Sequence, residues 1–210
     1  MKRITLSFLF TLVLCKFHAD AQTSDGYILN ENFDRNRLGW VEEFTEYHYT
    51  GIKEGFLYIL SKDTSRVQTS NGPQNNSALW DLPEEYEITT SISKLPGKTG
   101  AAYGVILNSA TLGYKFSFSD EGLAELIETD YNNDSREIYI FSRKAKFPVI
   151  KKPDSIQIKI IIAQRKFSYY VNDELINTGE FNCRSWEGIR LFVTSGFGIK
   201  ADYLRIRKIK

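Results

Sequence analysis

Cysteine and histidine each occur only twice in this chain and methionine once, and each scarcity closes off a class of chemistry. Cys15 lies in a leader-like N-terminal stretch, which leaves Cys183 as the single cysteine beyond it. One thiol cannot form an intramolecular disulfide, so a disulfide scaffold is excluded. Cys183 reads as a small, buried or half-buried residue near a strand end. Nucleophilic triads need a histidine or an equivalent base. Outside the leader only His48 remains, in Glu46-Tyr47-His48-Tyr49, where it reads as a packing or hydrogen-bonding residue. Zinc needs three or four His, Cys or carboxylate ligands, and the sequence supplies no recognisable set. Gly196-Phe197-Gly198 lacks the following helix that a phosphate cradle requires. No cofactor or metal is therefore expected.

Charge of either sign is also scarce in excess. The formal net charge is +1. Removing Lys2, Arg3, Lys16 and Asp20 with the leader brings it to about −1. A near-neutral chain has no electrostatic footprint for nucleic acid. The basic Arg205, Arg207, Lys208 and Lys210 alternate with Leu204, Ile206 and Ile209 near the C-terminus. They read as the solvated side of an edge strand, where such charges discourage sheet-to-sheet association.

Long apolar runs are missing except at the start. Lys2-Arg3 is followed by an apolar core of about eleven residues, Ile4 to Leu14, and then by Ala19-Asp20-Ala21. That core is too short for a membrane span, which needs roughly twenty apolar residues. Residues 1–21 are therefore read as a signal peptide and 22–210 as one exported domain, periplasmic or extracellular. Leu12-Val13-Leu14-Cys15 resembles a bacterial lipoprotein box, but the residue before that cysteine is normally small. Leu14 there disfavours a lipid anchor on Cys15.

What is present is alternation. Ile156, Ile158, Ile160 and Ile162 alternate with Gln157, Lys159, Ile161 and Ala163. Phe167, Tyr169 and Val171 then alternate with Ser168 and Tyr170, and Asn172-Asp173 turns the chain into a third strand. Period two marks half-buried strands, and this stretch is a β-meander. Further strands are expected at 55–60, 77–80, 86–93, 102–107, 114–119, 123–129, 138–142, 188–193 and 203–209. Glu121 to Thr129 could suit a helix face, but it follows a period-two run through Asp120-Glu121-Gly122, so a hairpin is expected. Segments 61–76 and 144–154, rich in polar residues or proline, read as loops. About a dozen strands joined by Gly, Pro, Asn and Asp turns predict an all-β, antiparallel sandwich of two sheets.

The order of motifs adds a resemblance. Asn32-Phe33-Asp34, Leu38-Gly39-Trp40 and Lys53-Glu54-Gly55-Phe56-Leu57 open the chain as exported jelly-roll modules of Bacteroidetes-type bacteria open. Ala102-Tyr103-Gly104-Val105, Tyr114 to Phe118, Ile158 to Asn172, Gly188-Ile189 and Asp202-Tyr203-Leu204 follow in order. The whole of 22–210 resembles the concanavalin A-like lectin/glucanase superfamily, which includes laminin-G-like modules. That resemblance implies a jelly roll that binds glycans, cleaves them or mediates protein contacts; fold alone does not choose.

Glycoside hydrolysis needs two carboxylates flanking one bond. Glucanases of this superfamily carry them as Glu-x-Asp-x-Glu on one strand, and this chain has no such run. Its nearest pairs, Glu128 with Asp130 and Glu85 with Glu87, read as solvated strand ends. The oxygen-rich Asp130, Asn132, Asn133 and Asp134 could suit calcium but read as a β-turn. Aromatic surface is what remains. Flat rings cover the apolar faces of sugars while polar neighbours fix orientation. Trp80, beside a polar loop, and Tyr139 and Tyr170, opposite apolar strand neighbours, are the candidate ligand-binding residues. The reading is a non-catalytic module for a glycan or an envelope protein partner. The alternative is a glycan-processing enzyme with acidic residues drawn from separate strands, and a purely structural envelope subunit is the third. The sequence does not specify ligand or oligomeric state.

Overall fold

The computed structural model describes residues 26–63, 68–69, 72, 82–133, 136–144, 155–183 and 188–209. The proposed signal peptide, Cys15 and Trp80 lie outside them, as does the strand expected at 77–80. Among the described residues there are fifteen strands. They are β1 Tyr27–Glu31, β2 Glu43–Phe44, β3 His48–Lys53, β4 Phe56–Ser61, β5 Gln68–Thr69, β6 Tyr86–Lys94, β7 Ala102–Asn108 and β8 Leu112–Ser119. The remainder are β9 Leu123–Asp130, β10 Arg136–Lys144, β11 Ile156–Ala163, β12 Lys166–Val171, β13 Glu174–Glu180, β14 Gly188–Val193 and β15 Gly198–Lys208. No helix long and apolar enough to cross a membrane occurs among the described residues.

Every pairing is antiparallel, and the strands form two sheets. The nine-stranded sheet runs β13-β12-β11-β6-β15-β4-β3-β2, with β1 also on β15. The six-stranded sheet runs β10-β9-β8-β7-β14-β5. The all-β antiparallel sandwich expected from the alternation is what forms. The meander closes through two-residue turns in which both central residues have positive φ: Gln164 and Arg165, then Asn172 and Asp173. That geometry matches the right-handed twist of flanking strands and fixes their register. Asn and Asp adopt it readily; Gln164 and Arg165 are held there by the strands on either side.

Period two does the sorting. Ile156, Ile158, Ile160 and Ile162 of β11 are buried, as are Phe167, Tyr169 and Val171 of β12. They share one core with Tyr114, Phe116 and Phe118 of β8 in the other sheet: the Phe116 ring lies 5.6 Å from Phe167 and 5.4 Å from Tyr169, both edge-on. The Tyr169 hydroxyl, fully buried, donates to the Ser117 carbonyl at 2.9 Å and so ties the two sheets together. Trp40 is buried against Phe33, 5.4 Å away.

The C-terminal strand corrects the sequence reading. β15 is not an edge: β6 pairs along one side of it, and β4 and β1 share the other. Its register shifts between Ala201 and Tyr203, where Asp202 is the extra, exposed residue. Such a bulge moves every later side chain to the opposite face. Ile199 and Ala201 point inward before it; Leu204 and Ile206 point inward after it. The buried Thr90 hydroxyl donates to the Tyr203 carbonyl at 2.7 Å and pins the bulge. Replacing Thr90 with Val keeps the shape and removes that donor. The expected cost is about 1–3 kcal/mol, measured by denaturant unfolding.

One carboxyl is buried near the chain entry. Glu31 is 5% exposed and accepts the Phe33 amide at 2.9 Å. Burial raises its pKa above the ordinary 4.5 by more than the Phe33 amide, the Trp40 indole and the Arg37 charge lower it. A raised folded value means that the folded chain binds the proton more tightly than the unfolded one. Stability from this group is therefore full in acid and lost as pH rises from 4.5 through the folded value. In Glu31→Gln, unfolding free energy followed from acid to neutral pH should lose that decline.

Candidate functional site

The outward side of the nine-stranded sheet carries a continuous cross-strand row. In register, Leu175 of β13 faces Tyr170 of β12, which faces Lys159 of β11, then Thr89 of β6, Arg205 of β15 and Asn30 of β1. The pleat places these six on one face because their neighbours along each strand, such as Ile158, Ile160, Ile88, Leu204 and Leu29, are in the core. Row neighbours on one side are Gln157, Ser91 and Tyr203; on the other are Ile161, Glu87 and Arg207.

Rings and cations alternate here. Lys159 Nζ sits 4.9 Å from the Tyr170 ring centre and pairs with Asp173 in the adjacent turn. The Arg205 guanidinium sits 4.3 Å from the Tyr203 ring centre. Its Nε donates to Asn30 Oδ1 at 3.1 Å and its Nη2 to Asn32 Oδ1 at 3.2 Å. Gln157 Nε2 donates to the Tyr203 hydroxyl at 2.9 Å. Arg207 engages Glu87 through Nε at 3.1 Å and Nη2 at 3.2 Å. Further along the same sheet, Lys200 Nζ lies 4.3 Å over Phe56, and Lys62 Nζ lies 5.7 Å over the exposed Phe44. Such contacts hold cations over rings without removing their charge.

Tyr170 lies within this row. Tyr139 belongs to β10 of the six-stranded sheet, opposite Ile127 of β9, and its side chain is outside the described residues. Trp80 is also outside them. The two described positions, Tyr139 and Tyr170, stand in different sheets and do not share a face. The sequence pattern does not mark Thr89 and Arg205 of the row, or Tyr203 beside it, as ligand-binding residues; Arg205 reads there as the solvated side of an edge strand. Tyr203 and Arg205 do share a two-residue spacing with Arg207, the signal of one strand face.

The carboxylates are dispersed. Glu87 is occupied by Arg207. Glu128 of β9 is half-buried beside the Tyr114 hydroxyl, which accepts the Asn182 amide at 3.1 Å. Burial first, and then the hydrogen bond to Glu128, push the Tyr114 pKa up. Asp130 Oδ1 accepts the Asn132 amide at 3.0 Å, a turn contact; Asp134 lies outside the described residues. Among the described residues no group of three or more His, Cys, Asp or Glu is placed to hold a metal ion. His48 finds its polar neighbours in its own hairpin: Nδ1 lies 3.1 Å from Thr45 Oγ1, within hydrogen-bond distance, and Nε2 lies 3.1 Å from Glu43 Oε2. Cys183 is half-buried, packed against the core just after β13.

No protein-family model matches the sequence, and no curated protein matches it. Solved structures do match in fold. A galectin-like protein of unknown function from Bacillus subtilis superposes with a TM-score of 0.60 at 8% identity, over 87% of this chain and 96% of that one. A Bacillus licheniformis β-glucanase superposes with a TM-score of 0.58 at 11% identity, over 89% and 100%. The CBM2 module of the evolved Dit of Lactobacillus casei BL23 phage J-1 gives 0.55 at 9% identity, over 88% and 97%. Identities this low speak to the fold alone. The two antiparallel sheets and these superpositions give the chain a jelly-roll sandwich fold.

Proposed function

We propose that this protein is an exported, non-catalytic jelly-roll module that binds a glycan on the outward face of its nine-stranded sheet. Residues 1–21 act as the signal peptide and 22–210 as the binding domain in this reading. The observation that carries it is the cross-strand row from Leu175 through Tyr170 and Lys159 to Arg205 and Asn30. It sets aromatic rings beside amide, hydroxyl and cationic groups on a regular surface, the composition that sugar recognition uses. Solved structures that share this fold include a CBM2 module and a β-glucanase, so a carbohydrate is the first ligand to test. Trp80 remains a candidate contact residue in this reading; Tyr139, in the six-stranded sheet, would serve only a second, separate surface.

Glycan processing is the rival, and its strongest observation is Glu128, a half-buried carboxylate beside the Tyr114 hydroxyl. Polysaccharide hydrolysis that disappears in Glu128→Gln would establish it.

The binding reading is tested by a glycan array followed by titrations with tryptophan fluorescence. Tyr170→Ala should weaken a saturable hit by about 1 kcal/mol, close to fivefold, with circular dichroism unchanged. An array without hits, checked against pull-downs that capture an envelope protein, would give the surface to a protein partner instead.

A further inference from the structure

We infer that the glycan taken by this face is acidic, and that Arg205 is the residue that reads its carboxylate. The inference rests on the glycan-binding reading above and narrows it to uronate-containing chains.

Arg205 differs from the other cations of the three rows. Lys159 has Asp173, and Arg207 has Glu87. Arg205 has no carboxylate partner among the described residues; its acceptors are the neutral side-chain oxygens of Asn30 and Asn32. Those two amides occupy Nε and Nη2, the side-on donors of the guanidinium. The end-on fork, formed by Nη1 with the second N–H of Nη2, has no partner among the described residues. A planar fork with two parallel donors matches a carboxylate in two-point geometry. Arg207, two residues on, shows the same strand face holding a carboxylate by a guanidinium edge.

The fork is also held still. Its Cζ lies 4.3 Å from the centre of the Tyr203 ring, whose hydroxyl accepts from Gln157, and Asn30 and Asn32 hold its side-on edge. A pre-positioned side chain loses little rotamer freedom when a ligand arrives. The ligand class follows from what surrounds it. The near-neutral chain lacks the broad positive field that nucleic acid binding uses. One guanidinium without a carboxylate partner among the described residues, set in a row with rings, suits single carboxylates on a sugar chain. Tyr170 and Arg205 are three strand steps apart, roughly 14 Å, so a chain laid along the row crosses several sugar units between the ring and the fork.

Isothermal titration of the purified protein with oligogalacturonate, alginate oligomers and hyaluronan oligomers, beside neutral β-glucan oligomers, provides the test. The fully methyl-esterified form of any acidic hit is the matched control, because it keeps the sugar and removes the charge. At least one acidic series should bind, its ester about tenfold or more weaker. Arg205→Gln should reduce affinity for the acid about tenfold and for the ester by a clearly smaller factor, whereas Tyr170→Ala should weaken both alike. Thermal unfolding of both variants establishes that they fold. If only neutral glycans bind, or if acid and ester bind alike, the acidic assignment is wrong and the glycan reading stands. If Arg205→Gln is folded and binds the acid as wild type does, the role of Arg205 is wrong. Binding of polyglutamate as tight as that of the sugar acids would overturn the inference in favour of an acidic protein partner. If no glycan binds at all, both readings fall together.

Discussion

The pairing of β15 on both sides is the constraint on which the nine-stranded sheet depends. Its backbone is hydrogen-bonded to β6 along one flank and to β4 and β1 along the other, so it joins the meander half of the sheet to the N-terminal half. Because a sheet's side chains alternate between faces, the phase of β15 decides what its neighbours can bury. Leu204 and Ile206 fill the core only because one residue, Asp202, is bulged out of register. Without that shift the same strand would drive Tyr203, Arg205 and Arg207 between the sheets, where an unpaired guanidinium costs several kcal/mol. Core and candidate face are thus set by one local irregularity, held by the hydroxyl of Thr90.

Cohesion between the sheets has a different source. Edge-on aromatic contacts of Phe116 with Phe167 and Tyr169, and the Tyr169 hydroxyl bonded to the Ser117 carbonyl, lock β8 against β12. A buried hydroxyl demands a partner, so this contact fixes position as well as contributing area. The strand that carries Tyr169 inward presents Tyr170 outward. The candidate ring is therefore mounted on a backbone that the core immobilises, which favours a surface arranged before its ligand arrives.

Much of this architecture is legible in the sequence, and the reason is local. The meander from Ile156 to Glu180 declares itself through two runs of period two and through Asn172-Asp173, whose side chains tolerate positive φ. Strands β6 to β10 and β14 declare themselves in the same way. What local pattern does not encode is the lateral order of strands. The alternating charges of Arg205, Arg207 and Lys208 read as an edge because an outward polar face looks the same in a central strand as in a terminal one. Tyr139 and Tyr170 look equivalent for the same reason, although pairing sends their strands to different sheets. The row that includes Thr89 and Arg205 joins positions more than one hundred residues apart, and only the folded register brings them together.

The central position of β15 also bears on the order of events in synthesis. Its partners β1, β4 and β6 are all made before it, and none of them borders another in the sheet. Until residues 198–208 pair, β6 on the meander and β4 on β3 remain separate pieces of this sheet. Loop closure over such separations is slow relative to local hairpins, and the hairpins β3–β4 and β11–β12–β13 can form early while the whole remains open. The nine-stranded sheet is complete only once β15 is seated between β6 and β4, which makes that strand its keystone rather than its trim.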